Sequence, residues 1–292
     1  MSDKTVSLVL GSGGARGLAH IGVIQWLEET GYDIQSVAGS SIGALVGGIY
    51  AAGELETYTN WAKALRQVDV LRLLDFSIGK GGLLKRERII ETLKELVGDQ
   101  DIEELGISFT AVATSAEDDK EVWLNQGSLF SAIRASIALP TMFSPVHYKG
   151  RALLDGGLTN PIPIAPTLRD KTDMTIAVNL GGKSDPSYAE REQIPESDQE
   201  AGSHQRRVAQ FVDSLQQRLA RTADEEMGVF NLISSAMETM QNRISRFILA
   251  AHSPDVIIDV PRNSCSFYDF YRAEEMIEIG RERAARVMTQ RT

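Results

Sequence analysis

Gly39-Ser40-Ser41-Ile42-Gly43 sets a serine hydroxyl between two glycines in the pattern G-x-S-x-G. Such a serine is a candidate nucleophile when a strand runs into the turn and a helix leaves it. The turn then projects the oxygen into a cleft, and Gly39 and Gly43 let two backbones approach without a Cβ between them. The start of the following helix favours developing negative charge. Read as packing alone, the same pentapeptide seats a helix on a sheet. A second run of small residues, Gly11-Ser12-Gly13-Gly14-Ala15-Arg16-Gly17, exposes consecutive backbone N–H groups that can hold an anion. It fails the dinucleotide spacing, because the sixth position from Gly11 is Arg16. No Gly-Lys-Ser/Thr follows to make a phosphate loop. An oxyanion hole serving Ser41 and a plain tight turn both stay open.

A serine nucleophile needs a proton acceptor. The histidines are His20, His147, His204 and His252, and none sits in an obvious catalytic turn. The other candidate is Asp155 in Leu153-Leu154-Asp155-Gly156-Gly157. In isolation this is a simple Asp-Gly turn. A carboxylate at a strand end, followed by Gly156 and Gly157, is also one that can be held beside another loop. An imidazole base titrates near ~6.5, and a carboxylate base is expected well below that.

The elements around these residues follow a β-α rhythm. Thr5–Leu10 reads as a buried strand, Gly17–Thr30 as a helix stopped by Gly31, Ile34–Ala38 as a strand and Ile42–Ala52 as a helix. Ile107–Thr114, Thr175–Leu180 and Val256–Val260 are further strands; Glu54–Asp75 and Lys85–Val97 look helical. This order predicts an α/β fold, a mainly parallel central sheet wrapped by helices. Neighbouring parallel strands end on the same side, so the glycine loop and the serine turn should meet there. Residues 181–205 are polar and read as a loop or linker. Val208–Leu219 and Val229–Phe247 then carry apolar residues at helical spacing, giving extra C-terminal amphipathic helices.

The whole chain has 292 residues, 42% hydrophobic and 24% charged, as in a globular protein. Thirty Lys and Arg against forty Asp and Glu leave a net charge of −10, with no basic footprint for nucleic acid. The single cysteine, Cys265, and an N-terminus without a signal-peptide core point to the cytoplasm. Ile34–Gly53 lacks charge and has GxxxG spacing, but its serines and glycines fit a turn and a buried helix better than a membrane span.

Taken together, these segments resemble the patatin-like phospholipase family, in family order. Gly13-Gly14-Ala15-Arg16-Gly17 is similar to its oxyanion motif and Gly39–Gly43 to its nucleophile motif. Arg134-Ala135-Ser136-Ile137-Ala138-Leu139-Pro140 is similar to the stretch before its aspartate, and Asp155-Gly156-Gly157 to its Asp-Gly-Gly/Ala motif. Ser12 departs from the glycine many members carry. The resemblance spans roughly Val6 to Leu180. It implies a patatin-like three-layer α/β/α core over residues 1–180, with 206–292 completing the same domain. It also implies a Ser41–Asp155 dyad without histidine, an oxyanion hole from N–H groups near Gly13, Gly14 and Arg16, and no metal or cofactor. The substrates would be acyl esters of glycerolipids.

Two other readings stand beside this one. An α/β-hydrolase would use Ser41, Asp155 and then His204 or His252. A catalytically idle lipid-binding or regulatory module would keep the pocket alone. For the C-terminal helices, packing on the core or on a second subunit competes with lipid contact through arginines such as Arg243 and Arg246. The expected partners are a lipid substrate and the membrane surface, with homo-oligomer formation left open.

Overall fold

The chain, described over residues 4–74, 80–140, 142–189 and 232–290 of a computed structural model, is built on a mixed sheet flanked by helices. Its strands are β1 (Lys4–Leu10), β2 (Tyr32–Ser40), β3 (Ser108–Ser115), β4 (Lys120–Leu124), β5 (Val146–Tyr148), β6 (Arg151–Asp155), β7 (Met174–Gly182) and β8 (Val256–Pro261). Strands β3, β2, β1, β7 and β8 lie side by side and run parallel. β4 and β6 pair antiparallel with β3, and β5 closes a hairpin on β6. The helices are α1 (Ala19–Glu29), α2 (Ile42–Ala51), α3 (Leu55–Ala64), α4 (Gln67–Leu74), α5 (Lys80–Val97), α6 (Leu129–Ser136), α7 (Pro186–Ala189), α8 (232–252) and α9 (Ala273–Thr289).

Strand alternation sorts the interior into two layers. Val6, Leu8 and Leu10 of β1 join the main core with Ile21 of α1, Val46 of α2 and Ile277 of α9. Val9 and Ala177 point the other way, to Ile162, Ile164 and the α8 residues Ile248 and Leu249. A strand buried on both faces reads as a continuous apolar run, which is how Thr5–Leu10 reads in the sequence. The uncharged stretch 34–53 divides into β2 and a wholly buried α2. No described helix is long and apolar enough to cross a membrane.

The structure departs from the sequence reading in two places. The helical stretch expected over Glu54–Asp75 breaks at Leu65, whose extended backbone (φ −69°, ψ 124°) separates α3 from α4. The antiparallel strands β4, β5 and β6 extend what was expected as a mainly parallel sheet. Beyond β7, β8 pairs with β7 and α9 packs on α1. Residues 190–231 lie outside the described residues, with His204, most of the polar stretch 181–205 and the helix expected over Val208–Leu219.

Candidate active site

Two strands meet head-on along one edge of β3. β2 pairs with its first half, ending in Ser40 opposite Val112, and β6 pairs with its second half, ending in Asp155 opposite Ala113. β4 covers Ala111–Ser115 from the other edge. β2 and β6 therefore share an edge and bring their last residues together. The chain leaves the sheet at both ends, and Ser41 Oγ donates to Asp155 Oδ2 at 2.6 Å.

Ser41 adopts φ 55° and ψ −122°, a conformation that non-glycine residues avoid at a cost of about 1–3 kcal/mol. Its surroundings hold it there. The Ser41 N–H donates to Ser136 Oγ at 2.9 Å, and Ser136 Oγ donates in turn to the Val112 carbonyl at 2.6 Å. The Ser41 carbonyl accepts from the Ala44 and Leu45 N–H groups, opening α2. Gly43 lets α2 press against β1, since a Cβ there would overlap the Leu10 carbonyl oxygen. Gly39, at the end of β2, is closed in the same way by the backbone of Gly43 and Ala44.

Asp155 is 1% exposed. Burial pushes its carboxyl up to about 6, while the bonds from Ser41 and from the Gly157 N–H, the latter at 2.8 Å, pull the other way. At pH 7 a carboxyl at about 6 is mainly ionised, the form that accepts the Ser41 hydrogen bond. Gly156 follows because a Cβ would overlap the Val112 carbonyl and meet Ser40 Oγ at 2.7 Å.

The glycine loop comes to the same point from β1. Gly13 precedes a 3-10 turn (Gly14–Leu18), whose leading N–H groups find no acceptor within it. The Gly11, Ser12 and Ala15 N–H groups donate to the carbonyls of Val178, Pro161 and Phe267. Among the described residues, the N–H groups of Gly13 and Gly14 make no such bond outside the turn, and Gly14 lines the cavity that holds Ser41 and Asp155. Ser12 Oγ donates to Ser40 Oγ at 3.1 Å, tying the loop to the strand that leads into Ser41. The Arg16 side chain turns inward. It donates to the Arg262 and Cys265 carbonyls and pairs with Glu238 of α8.

No histidine hydrogen-bonds Ser41 or Asp155 among the described residues. His20 is fully buried with Nε2 2.8 Å from the Gly11 carbonyl, which only accepts, so the ring proton sits on Nε2. Burial pushes its pKa down to about 4, leaving it neutral and engaged in holding the loop. His147 lies in β5 and His252 ends α8. No cluster of His, Cys, Asp or Glu gathers as metal ligands would among the described residues.

Ser41 and Asp155 lie in a cavity with otherwise apolar walls. These come from Tyr58 and Trp61 of α3, Ile90 and Leu93 of α5, Leu139 and Met142 after α6, and Phe267 before α9. Leu65, at the break between α3 and α4, lines it as well. Apolar clefts with a few convergent polar groups are the common form of a small-molecule site. Sequence reasoning missed the supporting roles of Ser136 and Phe267. Ser136 stood inside the quoted Arg134–Pro140 segment, but its spacing gives no sign that its hydroxyl reaches Ser41.

The family model for patatin-like phospholipases matches residues 8–168. A Mycobacterium tuberculosis protein described as an uncharacterized NTE family protein is 38% identical, over 98% of this chain and 92% of its own length. Similarity to a lysophospholipase from Emericella nidulans is 32% identity over 63% of this chain and 12% of that one. Human patatin-like phospholipase domain-containing protein 6 is 31% identical over 63% of this chain and 14% of its own length. Among solved structures, the crystal structure of VipD from Legionella pneumophila is similar at a TM-score of 0.45 and 14% identity, over 99% of this chain and 67% of that chain.

Proposed function

Since the chain belongs to the patatin-like phospholipase family, we propose that it is a serine acyl hydrolase cleaving carboxylic esters of glycerolipids, with Ser41 as nucleophile and Asp155 as base. The observation that carries this is the 2.6 Å bond from Ser41 Oγ to a buried carboxylate, both lining an apolar cavity. The acyl chain lies along the apolar wall, and its ester carbonyl reaches Ser41. Attack of Oγ on the carbonyl carbon passes the hydroxyl proton to Asp155. The oxyanion is met by N–H groups at Gly13 and Gly14, each donor being worth about 3 kcal/mol in such sites. Collapse breaks the bond to the leaving alcohol, which takes the proton from Asp155. Water then attacks the acyl-enzyme by the same proton path and releases the fatty acid.

The sequence also assigned Arg16 to the oxyanion hole. In this reading its backbone N–H keeps that role, while its buried guanidinium fixes the loop. Two of these relatives, a lysophospholipase and a patatin-like phospholipase, support glycerophospholipids and lysophospholipids as the substrate class. The free, buried Cys265 suits a reducing compartment, and we take the site of action to be the cytoplasm. The test is fatty-acid release from a panel of lysophospholipids, phospholipids and neutral glycerides, run with the parent and with Ser41→Ala. Release that depends on Ser41 is expected for at least one class. Equal release by Ser41→Ala would contradict the proposal.

A further inference from the structure

Helix α8 is amphipathic in the opposite sense from an ordinary surface helix. Its inward side carries much of the polarity: Ser234, Gln241 and Ser245 are buried there, and Glu238 pairs with Arg16. That side rests on the site itself. Gln241 lies so close to Gly157 that a Cβ there would meet its Nε2 at 2.6 Å. Met237 and Ile233 pack with Leu139, Met142 and Phe267, which line the cavity.

The outward side exposes large apolar residues. Leu232, Met240 and Phe247 are 72%, 55% and 62% exposed, the three largest exposures among the large hydrophobics of the described residues except for the 57% of Leu168. At 100° per residue they fall within one arc. Arg243 shares that arc, its guanidinium 4.8 Å from the centre of the Phe247 ring, and Arg246 flanks it. Glu238 is the one carboxylate in 232–252, and it is turned to Arg16 on the inward side. An acidic chain of net charge −10 thus presents an apolar face bearing two arginines and no acid, on a helix that rests on the site.

We propose that the outward face of α8 docks on an anionic lipid surface, with Leu232, Met240 and Phe247 entering the headgroup boundary and Arg243 and Arg246 meeting lipid phosphates. The proposal rests on the lipid-ester reading of the site and adds the surface by which the enzyme reaches its substrate. Charge complementarity selects this occupant: arginines beside an apolar stripe are the pattern of helices that lie in a membrane interface. The chain's net charge of −10 opposes approach to the same lipids, so a face with arginines and no acid favours one orientation.

The test separates docking from chemistry. Binding to vesicles of phosphatidylcholine, with and without phosphatidylglycerol, is measured by co-sedimentation using Ser41→Ala, so that hydrolysis does not consume the surface. Two double variants, Arg243→Glu with Arg246→Glu and Met240→Ser with Phe247→Ser, are made in this background and in the parent. Preferential binding to the anionic vesicles is expected, weakened by salt and by about tenfold or more in each double variant. Turnover of a short, water-soluble ester should stay within about twofold of the parent. Absence of vesicle binding, binding unchanged in both double variants, or equal losses on the soluble ester would overturn the proposal. So would a dimer that dissociates in Met240→Ser with Phe247→Ser, because the face would then belong to a second copy. If the parent binds vesicles but hydrolyses no ester, the docking surface stands and the reading of the site fails.

Discussion

Burial raises the Asp155 carboxyl to about 6, and this has opposite consequences for activity and stability. In the proposed role of base, Asp155 must be ionised. kcat/KM on a soluble ester should therefore fall about tenfold per pH unit below about 6. The sequence alone suggested a limb well below that of an imidazole. The buried site moves it close to the ordinary imidazole value of ~6.5, so a pH profile no longer distinguishes the two bases. Substitution does: His204→Gln and His252→Gln should each keep turnover within about threefold, and a loss of more than about a hundredfold with folding intact would favour a triad. For stability the sign is reversed. The carboxyl is raised from 3.8 to about 6 in the fold, so its contribution is fully present below 3.8 and lost as pH rises through about 6. Asp155→Asn removes the buried charge, and its amide can donate to Ser41 while its oxygen accepts from Gly157. This variant should be inactive yet melt higher than the parent above pH 6, and the difference should shrink as pH falls toward 4. A lower melting point at pH 8 would contradict this. Ser136 is a positioning residue, linking the Ser41 backbone N–H to the Val112 carbonyl. Ser136→Ala leaves that N–H without its acceptor, a loss of about 1–3 kcal/mol. Turnover should fall about tenfold or more with KM little changed, and equal changes in both would argue for a general loss of structure.

At the scale of elements, the site is a meeting of β2, β6 and the loop after β1, and these differ in how plainly the sequence announces them. Thr5–Leu10 and Thr175–Leu180 are legible because strands buried on both faces are continuous apolar runs. Ser41 is legible because a strand, a G-x-S-x-G turn and an uncharged helix follow in order. The antiparallel edge is not. β5 has three residues, and its hairpin to β6 turns through Lys149 and Gly150, both at positive φ, without the Asn-Gly signal of such turns. β4 begins after Asp119, another positive φ, and carries charges on an exposed edge. The sequence thus marked Asp155 as a strand end without revealing that this strand abuts β2. Helix α8 was legible as amphipathic, while the sense of its faces depends on Arg16 and Gly157, which only the fold brings near. That contact is testable. Glu238→Ala leaves the buried Arg16 guanidinium without its partly exposed carboxylate while its bonds to the Arg262 and Cys265 carbonyls remain, a loss of about 1–3 kcal/mol. Hydrogen exchange across 232–252 should speed up more than across α2. Uniform change across the chain would contradict a local tie. Gly14 is confined in a further way: at φ 59°, with the Phe267 carbonyl 2.5 Å from any Cβ, a valine there would disturb packing as well as the proposed oxyanion site.

At the scale of the whole molecule, the parts of the chain that carry the motifs do not complete the site. β8 covers the edge of β7, Phe267 supplies the acceptor for Ala15, and α9 packs on α1. We therefore take the chain to fold as one unit. A version ending at residue 231 should lose soluble, cooperatively unfolding protein, even though it keeps Ser41, Asp155 and the glycine loop. The central claim is that one serine of this molecule forms the acyl-enzyme. It is tested most directly by reacting the parent and Asp155→Asn with a fluorophosphonate and locating the adduct by peptide mass mapping. The account predicts a single adduct on Ser41 in the parent and little or none in Asp155→Asn. An unlabelled parent, or an adduct on another residue, would contradict it.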